Sequence, residues 1–423
     1  MKYKIFGLFL LFLFCNEVAF SQSFEHKTDS IQIKIEELDK KKEELIVQLY
    51  DIKLDVLFNA LIRNGLPKIN NPEDTVHHSL MVLSYNEKHE QANWVAHMIS
   101  TDINKGVLTR TNDFRTDPKI KTGSSKEEDF FLRILQEDST FEYDGFGYDR
   151  GHLAPSADFK WCAKAMSESY YYSNMSPQVA EFNRQIWADL ESMIREYVQE
   201  NNRNVYVVTG PILEDDLPRI ERGMNKLSIP REFFKVVIDI ENGQTSGIGF
   251  LIPNEECEYP VISYAVSIDS IEQRTGIDFF ASLPDSLENK LETQFDIKHW
   301  QTEKKRVNEV PIHRNRLPKN CINTVQARSY YDTKAKVCGT VVEVHETKSG
   351  HYFINFDLDF PEQLFWCTIW KDNIVNFSYQ PHEYLLNKRV CVEGIIKKKY
   401  GKPSMSIYNE KAITLYEEEM KKR

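Results

Sequence analysis

At 423 residues, with 41% hydrophobic and 28% charged side chains, the chain is long enough for two or three domains and too apolar to be disordered over most of its length. Its formal charge of −11 argues against a uniformly basic polyanion binder, yet the charge is unevenly spread. Residues 22–297 carry 29 Lys+Arg against 48 Asp+Glu and residues 298–423 carry 22 against 15, so an acidic body precedes a mildly basic tail region with a separate job.

The first 21 residues read as a cleavable secretory signal. Lys2 and Lys4 precede an apolar run from Ile5 to Cys15, and the small residues Ala19 and Ser21 follow. The run is too short to span a bilayer, and Phe14 before Cys15 does not suit a lipoprotein. The expected product is a secreted or periplasmic protein with no stable membrane association after cleavage. Six cysteines then remain: Cys162, Cys257, Cys321, Cys338, Cys367 and Cys391. They allow fifteen disulfide pairings or a set of buried thiols, and the absence of CxxC speaks against zinc.

A helical segment is predicted over 25–63. Ile31, Ile35, Leu38, Leu45, Leu49, Ile52 and Val56 recur at spacings of a coiled-coil seam that Lys42 interrupts. Either a homodimer forms through 29–62 or the helix docks on its own domain. Gly65 to Pro67 and NNPED close the segment.

Residues 70–297 mix strands and helices. NVYVVTGPIL, REFFKVVIDI and SGIGFLIP are β-rich runs bounded by Gly, Pro or Asn. Ser176 and Pro177 predict the start of a helix over about 178–200, with Val179, Phe182, Ile186, Leu190, Met193 and Tyr197 as its core stripe. Residues 298–325 read as a basic linker containing Lys304, Lys305, Arg306, Arg314, Arg316 and Lys319. Residues 326–420 read as five strands with a helical insert after the third, the order of an OB barrel. Its aromatics (Phe353, Phe356, Phe365, Trp366, Trp370 and Tyr400), with Lys397, Lys398 and Lys399, suit either a single-strand binding face or a core.

The chemistry concentrates in YDRGHLAPSADF, where Asp149, Arg150 and His152 fall within four residues. Gly151 predicts a tight backbone turn that puts Arg150 and His152 on opposite sides. On the following helix, Asn183, Glu191 and Arg195 are expected on one ridge beside the apolar stripe. Singly, each is as well explained as a surface residue or an i,i+4 pair.

DRGHLAPSAD, KAMSESYYYSNMSPQ and FNRQIWADLE, in this order and spacing, resemble the DNA/RNA non-specific endonucleases of the ββα-metal, endonuclease G-like class. The resemblance covers about 75–285 and implies an α+β nuclease domain with a mixed or antiparallel sheet, followed here by the all-β barrel. It implies His152 as general base, Asn183 as direct ligand of one Mg²⁺ (with Mn²⁺ as a substitute), and Glu191 acting on that ion through water. Arg150 and Arg195 would stabilise phosphate charge, and Asp149 and Asn174 would shape the site. A further phosphate-binding arginine is implied in LTRTNDFRTDP, either Arg110 or Arg115. The implied activity is hydrolysis of DNA and RNA to 5′-phosphate ends. The alternative is a catalytically silent nucleic-acid-binding or interaction protein that keeps the fold. Cys162 is expected to pack rather than to react.

Overall fold

The computed structural model describes residues 2–63, 65–68, 75–130, 133–139, 141–143, 147–221, 224–241, 244–293, 295–301 and 308–422. By its contacts the chain divides into two units, Met1–Ala60 and Leu61–Arg423. One helix, Lys2–Arg63, runs through the apolar leader and the predicted helical segment. The seam side chains Ile31, Leu38, Leu45, Leu49, Ile52 and Val56 are exposed. No helix among the described residues is long and apolar enough to cross a membrane. The NNPED stop, residues 70–74, lies outside the described residues.

The nuclease-like region is built on a seven-stranded antiparallel sheet. In spatial order its strands are Thr75–His77, Met81–Asn86, Gln91–Ile99, Val205–Pro211, Glu232–Glu241, Gln244–Pro253 and Ala265–Val266. The three predicted β-rich runs are its central members, because Val205, Val207, Val236, Val237, Ile248 and Phe250 are covered on both faces and favour extended backbone. Gly210 is needed for this packing: a Cβ there would sit 2.3 Å from the Asn93 carbonyl oxygen.

The helix after the DRGH stretch departs from its prediction at the start. Ser176 and Pro177 do not cap it; they lie in a strand, Met175–Gln178, paired antiparallel with Asp149–His152. The helix begins after this pairing, with Asn254 Oδ1 accepting the Val179 amide at 2.8 Å. Its first part, Phe182–Trp187, is a π-helical turn, and Ala188–Asn201 continues as α-helix. The stripe Phe182, Ile186, Leu190, Met193 and Tyr197 is buried as expected.

The C-terminal barrel closes through five strands. Lys334–Glu346, Tyr352–Phe356, Phe365–Ile369, Lys402–Ile407 and Arg389–Lys399 neighbour one another in that order, and the last pairs back with the first. The third and fifth in chain order run parallel, and the other pairs are antiparallel, which is OB topology. The predicted last strand is split, with Ile413–Leu415 pairing separately on Arg389–Lys399. One disulfide, Cys338–Cys391, joins the first and fourth strands, while Cys162, Cys257, Cys321 and Cys367 are free thiols.

The described part of the predicted linker is not a free tether. Ile322–Asn323 pairs parallel with the first barrel strand, and Ile312 and Leu317 are buried beside Cys338 and Cys391. Tyr259 joins the two regions: its hydroxyl accepts from Arg314 N at 3.2 Å and from Asn323 Nδ2 at 2.9 Å. Apolar residues spaced through the basic run explain this docking. Lys304, Lys305 and Arg306 lie outside the described residues.

Candidate active site

The DRGH stretch is extended, not sharply bent. Asp149–His152 is a strand whose partners are Gln178, Pro177, Ser176 and Met175 in turn. Gly151 is required by close approach: a Cβ there would sit 2.0 Å from Gln178 Oε1. Because strand side chains alternate, Arg150 and His152 share a face instead of lying on opposite sides. Both meet Phe114, with the Arg150 guanidinium 3.7 Å from the ring centre and the His152 ring at 5.7 Å.

His152 is wedged between Phe114 and Tyr170, the latter edge-on at 5.1 Å. Burial holds its pKa down to about 3, and the positive charges of Arg110 and Arg150 add to this. Its Nε2 is buried and has no hydrogen-bond partner among the described residues. The loop after it is fixed by buried Asn174. The Asn174 Oδ1 accepts from Ala154 N at 2.9 Å, and its Nδ2 donates to the carbonyls of Ala154 and Ser169. Asn174 thus positions backbone and reaches no reacting group.

Asp149 has a similar positioning role. It accepts from Asn183 Nδ2 at 2.9 Å and from the Arg184 guanidinium at 2.8 and 2.6 Å. Holding the amide nitrogen turns the Asn183 oxygen into the end available to a cation. Asn183 lies in the π-helical turn, where the uniform helical spacing assumed for it, Glu191 and Arg195 does not hold.

Behind these groups lies a buried charge cluster. Arg195 NH1 donates to Asp158 Oδ1 at 3.0 Å and lies 3.8 Å from Glu191. Asp158 also accepts from His97 Nε2 at 2.9 Å. Lys235, only 1% exposed, donates to Thr209 Oγ1 at 2.7 Å and sits 4.7 Å from the Trp187 ring centre. Burial pushes the Glu191 carboxyl up against the opposing pull of Lys235 and Arg195. It pushes the Lys235 ammonium down against Glu191 and Asp158. For Asp158, burial is outweighed by His97 and Arg195 together, and the carboxyl is held low.

The two candidate upstream arginines separate clearly. Arg110 is exposed, and its charge acts on both His152 and Glu191. Arg115 faces elsewhere: it donates to Asp113 Oδ2 at 2.7 Å and to Ser167, and stacks 4.2 Å over Tyr171. Of the two, Arg110 is the one whose charge reaches the histidine.

Residues 59–286 match the family model described as DNA/RNA non-specific endonuclease. The chain belongs to that family. It is 31% identical to bovine (Bos taurus) mitochondrial endonuclease G over 238 residues, covering 53% of this chain and 73% of the relative. It is 30% identical to a nuclease of Nostoc sp. over 51% of this chain and 76% of the relative. Nuclease C1 of Cunninghamella echinulata is also 30% identical, over 48% and 81%. A solved chain from an endonuclease G–inhibitor complex matches 54% of this chain and 93% of its own length at 26% identity, with a TM-score of 0.43. This nuclease family is metal-dependent, and nucleic acid is its substrate class.

Sequence reasoning missed Lys235, Asp158, His97 and Phe114 in the nuclease. A lysine inside the apolar run REFFKVVIDI was the one available signal, since a charge in a central strand must find a buried partner. Cys162 is buried with its thiol pushed up by burial, as packing predicts.

Proposed function

We propose that this enzyme is an exported endonuclease that hydrolyses DNA and RNA with His152 as general base, one Asn183-bound Mg²⁺, and 5′-phosphate products. The observation that carries the reading is a neutral, buried histidine whose Nε2 has no partner among the described residues, on the same strand face as Arg150. A neutral imidazole can take a proton from water at physiological pH. Arg150 and the exposed Arg110 would hold the nonbridging oxygens as charge builds on the phosphate. Asn183, oriented by Asp149, would ligate the cation directly, and Glu191, held by Arg195, would act on it through water. The residues fit such an ion: a neutral amide oxygen is aimed by its own hydrogen bond and leaves the ion its full charge. When bound, Mg²⁺ or Mn²⁺ would supply Lewis-acid stabilisation of the leaving oxygen.

Export is supported by the signal-like leader and by the Cys338–Cys391 bridge, since disulfides persist in oxidising compartments. The exposed seam over residues 31–56 favours pairing of two copies, read by light scattering with and without residues 25–63.

A plasmid-conversion assay on the mature protein, with Mg²⁺ or EDTA and beside His152→Ala, tests the catalytic reading. The expected result is nicking and then degradation by wild type only with metal, with a loss on the order of 10²–10⁴-fold in His152→Ala. Equal cutting by the variant would place the base elsewhere. Binding without cutting of DNA or RNA would favour the silent binding protein.

A further inference from the structure

A second carboxylate cluster lies away from the histidine. Helices Ile268–Thr275 and Asp285–Thr293 pack on the strand Gln244–Pro253 where Gly247 and Gly249 let them approach. A Cβ at Gly247 would sit 2.7 Å from the Leu291 carbonyl oxygen, and one at Gly249 2.6 Å from Ile271 Cδ1. The approach brings together Asp269 and Glu272 of the first helix and Glu292 of the second. One carboxylate oxygen of each lies within 4.8 Å of the other two.

Glu292 is the unusual member. It is 7% exposed, and its Oε1 has no hydrogen-bond partner among the described residues. Burial pushes its pKa up to about 8, and the neighbours Glu272, Glu288, Asp269 and Asp278 push in the same direction. Glu272 is fixed by the Phe279 amide, which donates to its Oε1 at 2.9 Å. A buried carboxylate is ordinarily answered by a cationic side chain. Here the neighbours acting on it are carboxylates, and one shared proton would neutralise only one of three acids.

We propose that Asp269, Glu272 and Glu292 bind a hard divalent cation, Ca²⁺ by size. Ca²⁺ takes carboxylate oxygens at about 2.3–2.6 Å, so one ion bridges oxygens anywhere within the 4.8 Å bound, whereas Mg²⁺, at about 2.0–2.1 Å, reaches only the part of that range below about 4.2 Å. The cation ties Asp285–Thr293 to the preceding helix. Glu292 lies beyond residues 59–286, so the site includes a ligand outside the segment matched by the family model.

The test uses the full mature chain, stripped of metal and carrying Asn183→Ala to remove the candidate catalytic ligand. CaCl₂ is titrated at millimolar concentrations, the range of extracellular Ca²⁺ modules. The melting temperature should rise by roughly 2–4 °C. Equilibrium dialysis should find one more bound Ca²⁺ than in the same chain with Glu292→Gln added. The metal-free Glu292→Gln variant should melt no lower than its parent, because a neutral amide of the same shape replaces a buried acid whose ionised form is disfavoured, and should show no Ca²⁺-induced rise. Equal Ca²⁺ stoichiometry in parent and variant, or the same rise in both, overturns the proposal. If Glu292→Gln lacks a cooperative melt, Asp269→Asn provides the same comparison at a less buried position, with loss of the rise expected and its persistence overturning the site.

Discussion

Two carboxylate clusters in the same nuclease region, each built around one buried acid, Asp158 or Glu292, are treated oppositely. Asp158 and Glu191 sit among Arg195, Lys235 and His97, which the fold supplies from a helix and two central strands. Asp269, Glu272 and Glu292 are surrounded by further acids. Where charge is answered from within, the field is fixed by packing before any ligand arrives, which is what electrostatic catalysis requires. Where it is left unanswered, a ligand or a proton must supply the balance. Asp149 falls in the first class: Arg184 and Asn183 both donate to it, and the result is a single orientation for the Asn183 amide.

Removing the internal cation should do the most damage. Lys235→Met leaves Glu191 and Asp158 under-compensated in a largely buried cluster, and should cost about 3–5 kcal/mol in denaturant unfolding. Adding Glu191→Gln should recover part of that stability, since the two groups are coupled. It should not recover nuclease activity. Full additivity of the two losses would show that Lys235 does not compensate Glu191.

A smaller effect is expected from loosening the amide. Asp149→Ala frees Asn183 without removing it, and should raise the half-saturating Mg²⁺ concentration by roughly 10–100-fold. Maximal rate at saturating metal should fall less than it does in Asn183→Ala. An unchanged metal requirement would reduce Asp149 to a surface partner of Arg184.

Much of this organisation was legible in the sequence. The β-rich runs, the helical stripe and the barrel's strand order follow from local periodicity, and DRGH, Asn183 and Glu191 stand in recognisable blocks. What was not legible depends on long-range pairing. Ser176 and Pro177 have good capping chemistry, but pairing with Asp149–His152 recruits them into a strand. That same pairing straightens the chain at Gly151, whose missing side chain makes room for Gln178 rather than for a turn. Asp158, His97 and Lys235 come from three separate segments, so no local pattern could unite them. In the barrel, composition alone could not divide the aromatics: Phe356, Phe365 and Trp366 are core, whereas Tyr400 is 96% exposed and Lys399 lies 4.9 Å from the Trp370 ring centre.

The mildest test concerns the positive charge left facing the histidine. His152 stands at about 3, well below its ordinary value, so in the folded protein its neutral form is complete above about pH 5 and persists far into acid. The sign for stability is the same: the benefit of the neutral imidazole is full above its unfolded value and is lost as pH falls toward the folded one. Arg110 lowers the proton affinity of both His152 and Glu191. Arg110→Gln should therefore move the acid limb of the kcat/KM profile to higher pH, by some tenths of a unit to about one unit, whichever of the two groups sets it. Arg115→Gln should leave the limb in place, because its guanidinium is spent on Asp113 and Ser167. Equal shifts in the two variants would mean that the limb reports net charge of the whole face, and that Arg110 has no privileged position over the histidine.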